Sequence, residues 1–341
     1  MRYLIRTIVV CFVCLCATNT AHTQTQDPAI LQETAKSLMR QGDYDNALQV
    51  LDKALAAKPD NIDILKDKAF TYYLQRDFAN AIATGKYIIS KPDADVQSYQ
   101  ILGLAYKAIA DDKEGDKMYK AALKKFPESG VLYSEYGDLL ATGNAPDLAI
   151  KQWEKGIEAD PNNSSNYYYA SKYYAQKGNI IWGLLYGEIF VNIESLSNRT
   201  NEIKNILYGG YQKLFSTPAI LNIAKQNGTP FEKMIATNLS KLTSQMQYGV
   251  SAENLTALRT RFILNWFNSN ARQFPCKLFE QQRFFLQQGM FEAYNQWLVG
   301  PVADTQQFQQ WMQEHAGEAK QFQQFQRSVI FKIPTGQYYM H

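Results

Sequence analysis

A fixed spacing constrains this chain more than any other feature. Small residues stand at Ala35, Ala69, Gly103, Gly137 and Ser171, 34 residues apart each time. Three residues beyond each comes a large side chain: Leu38, Tyr72, Tyr106, Leu140 and Tyr174. A second small column follows at Ala47, Ala81, Gly115, Ala149 and Gly183. Four of the five blocks then close on Pro59, Pro92, Pro127 and Pro161. Columns that stay in step over five blocks mark a repeated building block, and a period of this length belongs to stacked supersecondary units.

Each column has a physical task. Two antiparallel helices of about 14 residues, joined by a tight turn, approach closely only where both carry small side chains. On that reasoning Ala69 faces Ala81, and Gly103 faces Gly115. The large residue one turn later fills the space between one pair and the next. Proline ends the second helix because it lacks the N–H and clashes with the preceding turn. Gly42 and Gly178 fall between the helices, where a left-handed backbone suits glycine.

This pattern resembles the tetratricopeptide repeat (TPR). "GDYDNALQVLDKALAAKPDN" is close to that family's second-helix pattern, and "GNAPDLAIKQWEKGIEADPNN" repeats it. Five units cover about 28–61, 62–95, 96–129, 130–163 and 164–197. Departures are local: Pro92 comes one residue early, Gly85 replaces a bulky residue, and the fifth unit carries Ser195 where the others carry proline. The resemblance implies an all-α, right-handed solenoid of helical hairpins over residues 24–197, followed by a helical C-terminal region, 198–341.

The first residues read as a leader rather than as fold. "MRYLIRTIVVCFVCLCATNTAHTQTQ" has Arg2 and Arg6, an apolar run, then a polar stretch with Ala21-His22-Thr23 before Gln24. A positive start, a short apolar core and a small-residue site are the marks of a secretory signal peptide, here 1–23. The apolar run is too short to span a bilayer, which takes about 20 residues. Cleavage removes Cys11, Cys14 and Cys16 and leaves Cys276 as the lone thiol, so an internal disulfide is excluded. It also leaves 33 basic against 32 acidic residues. Such a balance gives no broad attraction to nucleic acid or anionic membrane. The expected location is a bacterial periplasm or the extracellular space.

Beyond Asn198 the rhythm fades but helical patterning continues. "NEIKNILYGGYQKLF" carries Ile203, Ile206, Leu207, Tyr211 and Leu214 on one face. "TPFEKMIATNLSKLTSQM" opens on Thr229-Pro230, a favoured helix entry. "SAENLTALRTRFILNWF" opens with a capping-box pattern at Ser251. A degenerate repeat near 275–308 is suggested by Gly289, Phe291, Ala293 and Pro301. One last helix capped at Asp304, with Phe308, Trp311, His315, Phe322 and Phe325 near one face, would close the solenoid. The ending "VIFKIPTGQYY" suits one short strand or an extended strap.

Motifs for catalysis, metal or cofactor binding are missing from the sequence. There is no G-x-S-x-G, S-x-x-K, phosphate-cradling glycine loop or H-E-x-x-H. His315-x-x-Glu318 lacks a third ligand and reads as packing. Cys276, within "FPCKLF", reads as a small buried hydrophobe. The expectation is therefore a non-enzymatic scaffold that takes no cofactor and binds a protein or peptide. Two rival readings stand beside it: an envelope assembly factor docking peripherally on outer-membrane machinery, and an enzyme whose site is hidden within 198–341.

The resemblance also implies where a partner would sit. First helices line a concave groove, and the matching positions here are Lys36, Arg40, Lys66, Phe70, Tyr73, Lys107, Tyr168 and Lys172. Gln32, Met39, Asp63, Leu74, Gln97, Gln100, Leu104, Ser134, Asp138 and Gln176 fall at further groove positions. Rings with several cations suit an extended, partly acidic peptide.

Overall fold

The computed structural model describes residues 27–247 and 249–339. The expected leader at 1–23, and His341, lie outside them. The first half is five helical hairpins: α1 (Pro28–Gln41) with α2 (Tyr44–Ala57), α3 (Ile62–Leu74) with α4 (Phe78–Ile89), α5 (Val96–Ala108) with α6 (Asp112–Lys125), α7 (Gly130–Thr142) with α8 (Pro146–Ala159), and α9 (Ser164–Lys177) with α10 (Ile180–Ile193). Every residue of both small columns is buried.

Two capping positions also recur with the 34-residue period. First helices start after Asp27, Asn61, Asp95, Ser129 and Asn163, and in the first four the side chain accepts a backbone N–H of the opening turn. Second helices start after Asp43, Asp77, Asp111, Ala145 and Asn179, and only Ala145 makes no side-chain cap. There Pro146 opens the helix, and its missing N–H removes one of the donors a cap would satisfy. The turn residue between the helices is left-handed in all five hairpins: Gly42, Arg76, Ala110, Asn144 and Gly178, with φ of 78°, 65°, 54°, 60° and 90°. Only two of these are glycine, which is why the sequence shows the turn at the two ends of the array alone.

One expected contact is corrected. Gly103 and Gly115 do not fill each other's space. A Cβ on Gly103 would meet the Tyr119 hydroxyl at 2.1 Å, and one on Gly115 would meet Leu139 at 2.9 Å. Gly137 likewise makes room for the Trp153 ring, whose Nε1 donates to the Ser134 carbonyl at 3.2 Å. The fifth hairpin does close the expected pair, with the Ser171 hydroxyl donating to the Gly183 carbonyl at 2.8 Å.

The second half comprises α11 (Asn198–Ser216), α12 (Pro218–Asn227), α13 (Pro230–Ser240), a 3₁₀ turn (Thr243–Met246), α14 (Ala252–Ser269), α15 (Lys277–Gln287), α16 (Phe291–Ala303), α17 (Thr305–Glu314) and α18 (Ala316–Ser328). The capping box expected at Ser251 forms with Asn254. Helix α12 is an element the sequence reading passed over. The single last helix is corrected to two, because the chain bends at His315, the C-cap of α17. Asp304 does cap α17, accepting from the Gln306 and Gln307 backbone. Helix α16 continues through Pro301 instead of stopping there. No strand occurs among the described residues, and 329–339 runs as an extended strap.

A continuous apolar core runs from Ala149 and Trp153 through Phe190, Leu207 and Trp266 to Leu298 and Val299, so the end of the array and the second half share one interior. A polar knot lies within it. Arg259 (α14) pairs with Glu188 (α10) and bonds Asn295 (α16). Gln282 (α15) and the Tyr294 hydroxyl (α16) each donate to Glu188 at 2.7 Å. A buried charge pair is tolerable only when its remaining hydrogen-bonding capacity is met in this way. Among the described residues Lys204 (α11) has no carboxylate partner. It lies 3.9 Å from the Trp297 ring centre, and burial lowers its pKa to about 8.

Candidate functional site

Stacking brings α1, α3, α5, α7 and α9 side by side, each touching the next. Between the first three lies an open cleft of about 500 Å³, lined by Gln32 and Lys36 of α1, Asp63, Lys66, Asp67 and Phe70 of α3, and Gln97, Gln100, Ile101 and Leu104 of α5. Of the eight groove residues expected from the sequence, Lys36, Lys66 and Phe70 line this cleft. Tyr73 stacks on Phe70, with ring centres 5.9 Å apart and planes 12° off parallel. Arg40 is exposed in the last turn of α1. Arg40, Lys107, Tyr168 and Lys172 do not line the cleft.

The four lysines are not free. Lys36 pairs with Glu33 at 3.0 Å and lies 3.9 Å from Asp67. Lys66 is buried and bridges Asp63 at 2.9 Å and Asp95 at 2.7 Å. Lys107 pairs with Asp138 at 2.5 Å, and Lys172 with Glu202 at 2.6 Å. Uncharged groups do the same: Gln32 donates to Asp67 at 2.6 Å and Gln100 to Glu135 at 2.7 Å. Most of these contacts span roughly one repeat, so the groove-side polar residues bracket each hairpin to the next.

Lys66 and Tyr168 are thereby corrected as exposed contact residues. The Tyr168 hydroxyl donates to Glu202 at 2.5 Å and accepts from Lys172 at 3.1 Å, and Arg199 packs 5.0 Å from its ring centre. Burial opposes the charge on Lys66, but hydrogen bonds to Asp95 and Asp63 outweigh it and raise its pKa above the ordinary lysine value. Burial also opposes ionisation of Asp95, and there the Lys66 and Ser98 bonds win and lower the pKa. At Asp67 burial wins instead, over the bond from Gln32 and the charge of Lys36, and raises it. Within the cleft lining two cations meet two carboxylates, so it presents no net positive charge at neutral pH.

What remains for a ligand is an amide-rich rim, Gln32, Gln97 and Gln100, around the apolar surface of Phe70, Ile101 and Leu104. Such a surface can bind an extended chain by backbone hydrogen bonds and apolar contact. Asp67 and Ile101 were missed by the sequence reading. Both occupy one repeat position, shared with Glu33 and Glu135, and three acids in that column were the available signal. Cys276 sits half-covered before α15, where burial raises its thiol pKa to about 12. His315 stacks on Trp311, with ring centres 4.9 Å apart. Among the described residues no group of three His, Cys, Asp or Glu could hold a metal ion, and no helix is long and apolar enough to cross a membrane.

Two tetratricopeptide repeat family models match the chain, at residues 38–91 and 113–164. The hairpin array is a tetratricopeptide repeat array. Among curated proteins, human tetratricopeptide repeat protein 21B is 28% identical over 125 residues, 37% of this chain and 10% of that protein. The DnaJ protein P58IPK homolog of Arabidopsis thaliana is 27% identical over 149 residues, 39% of this chain and 30% of that one. The match thus spans a tenth of the first relative and under a third of the second. Among solved structures, a thermophilic TPR protein of Thermus thermophilus aligns with a TM-score of 0.44 at 17% identity, over 53% of this chain and 98% of that chain. A tetratricopeptide repeat protein of Parabacteroides merdae aligns at 0.43 and 14% identity, over 74% and 96%.

Proposed function

We propose that this TPR protein is a non-enzymatic scaffold that holds an extended segment of a partner protein across α1, α3 and α5. The cleft of about 500 Å³ carries this reading: it combines an apolar floor with amide groups on the face where successive first helices meet. Because Lys36, Lys66, Lys107 and Lys172 already face carboxylates, the segment is recognised through rings and amides more than through net negative charge. Export to a periplasm or the extracellular space, with peripheral association at the envelope, belongs to the same proposal and rests on the leader-like run from Met1 to Thr23. Isolating the protein from fractionated cells and sequencing its N-terminus tests that part. A start near Gln24 supports it, and an intact Met1 overturns it.

Photo-crosslinking tests the binding face. Gln97 is exposed at the cleft edge, and Lys53 is exposed on α2, outside the cleft lining. With a photoreactive residue at Gln97 we expect a discrete adduct that is missing from the Lys53 position. Phe70→Ala with Tyr73→Ala should abolish it at an almost unchanged melting temperature, because neither ring is fully buried. Equal capture at the two positions, or capture indifferent to the double substitution, would refute the site.

A further inference from the structure

A second cleft, of about 610 Å³, opens in the other half of the molecule. It lies between the N-terminal end of α14, one face of α16, and α17. Four of its lining residues are carboxylates, Glu253, Glu292, Asp304 and Glu314, and none is Lys, Arg or His. None of the four forms an ion pair among the described residues, whereas Lys36, Lys66, Lys107 and Lys172 of the array each face a carboxylate. Three are engaged by neutral donors only. Glu292 accepts from the Trp311 indole at 2.6 Å, Asp304 from the α17 backbone at 2.9 and 3.0 Å, and Glu314 from Gln310 at 2.8 Å.

An independent feature lies within the same walls. Gln296 is 8% exposed, yet its amide has no hydrogen-bond partner among the described residues. Its Oε1 lies 2.6 Å from where a Cβ on Gly300 would stand, and Gly300 is also a wall of the cleft. The bare Gly300 backbone makes room for that oxygen and for the Phe308 ring. The Gln296 amide therefore stays available at the cleft wall for a ligand's donor.

We propose that this cleft binds a basic peptide segment, with an arginine or lysine side chain donating to the Gln296 carbonyl and neighbouring positive charges lying along the four carboxylates. Charge complementarity selects the occupant: an uncompensated acidic wall attracts cations and repels acidic chains. No three of the carboxylates converge closely enough to hold a metal ion, which favours a ligand with several separated charges. Trp311 and Phe308 supply the apolar and cation–π surface that the stem and head of such a side chain need.

The test uses the full chain and fluorescein-labelled hexa-arginine, followed by anisotropy. Glu253→Gln with Glu314→Gln should weaken binding about tenfold. Glu128→Gln with Glu158→Gln, an equal charge change on exposed positions of the array, should leave it unchanged. Gln296→Leu should weaken binding at low salt while melting no lower than the wild type, since the lost amide had no partner. Equal losses in the two double variants, or wild-type binding by Gln296→Leu, would overturn the proposal by reducing it to diffuse charge attraction. Competition by spermine or magnesium as effective as unlabelled hexa-arginine at equal ionic strength would overturn the peptide assignment.

Discussion

Within one hairpin, the size of the first small residue and that of the side chain facing it vary together. Where the first helix carries glycine, Gly103 or Gly137, the second helix presents a ring sixteen residues on, Tyr119 or Trp153. Where it carries Ala35, Ala69 or Ser171, the same position holds Leu51, Gly85 or Gly187. Gly85 then receives Leu102, and Gly187 receives Leu207 and Ile203. The volume is conserved while its donor changes, as close packing requires. Gly103→Ala should therefore cost about 1–3 kcal/mol by denaturant unfolding, because the Tyr119 ring must move. Tyr119→Leu alone should also destabilise, by opening a void, yet the double variant should recover most of the loss by reproducing the Ala35–Leu51 pairing. Additive losses in that cycle would show that the two positions do not share one space. The small columns were legible because they repeat. Their compensation was not, because it runs between columns that sequence spacing treats as separate. The left-handed Arg76 and Ala110 escaped for a related reason: the surrounding hairpin imposes that conformation, and of the three non-glycine turn residues only Asn144 is a type that favours it.

At the scale of elements, the groove side of the first helices does two jobs, and charge does mainly the structural one. Asp95 shows how to separate them, since Asn at this position keeps the cap of α5 while removing the charge opposite Lys66. The pKa of Asp95 is lowered in the folded chain. Its contribution is therefore present above the unfolded value of about 3.9 and lost as pH falls through the folded one. Lys66 is raised, so its share is complete below the ordinary lysine value and lost as pH climbs past the folded one. Asp67 has the opposite sign to Asp95: burial raises it, so its ionisation at neutral pH works against folding. Asp95→Asn should lower stability at pH 7 by about 0.5–1 kcal/mol, and Asp67→Asn should raise it by a similar amount. Both differences should shrink as pH falls through the two folded values, and urea midpoints measured at pH 7 and in acid decide it. The same sign for both substitutions would remove the bracket account. Lys66 and Tyr168 were readable from the sequence as groove positions, but their burial was not. It depends on Asp95, the cap at the start of α5, and on Glu202 of α11, which meet them only after stacking.

Across the whole molecule, stability is distributed unevenly along the chain. The first repeats hold small separate clusters, one around Leu51 and Ile64 and another around Ile88 and Ile101, while the single large core begins in the fourth repeat and continues into the second half. The terminal strap reinforces that junction. Its Ile333 backbone exchanges two hydrogen bonds with the Asn162 side chain, at 2.9 and 3.1 Å, across 171 residues of sequence. Gln337 accepts from the Lys277 backbone at 2.7 Å, and the Tyr339 hydroxyl donates to the Pro275 carbonyl at 2.6 Å. Phe331 and Ile333 are buried, and the Tyr339 ring lies 4.7 Å from that of Phe231. The strap thus ties the fourth repeat to α13 and α15. Removing residues 330–341 should cost about 2–4 kcal/mol from lost apolar burial and hydrogen bonds. Because contacts in a repeat array are mainly between neighbours, the loss should stay local. Amide exchange should quicken in α8, α9, α13 and α15 and stay unchanged in α1 to α4. Asn162→Ala, which leaves the chain full length, should reproduce a smaller version of the same pattern. Uniform acceleration from α1 onward would mean that the molecule unfolds as one unit and that the strap is not a local clamp.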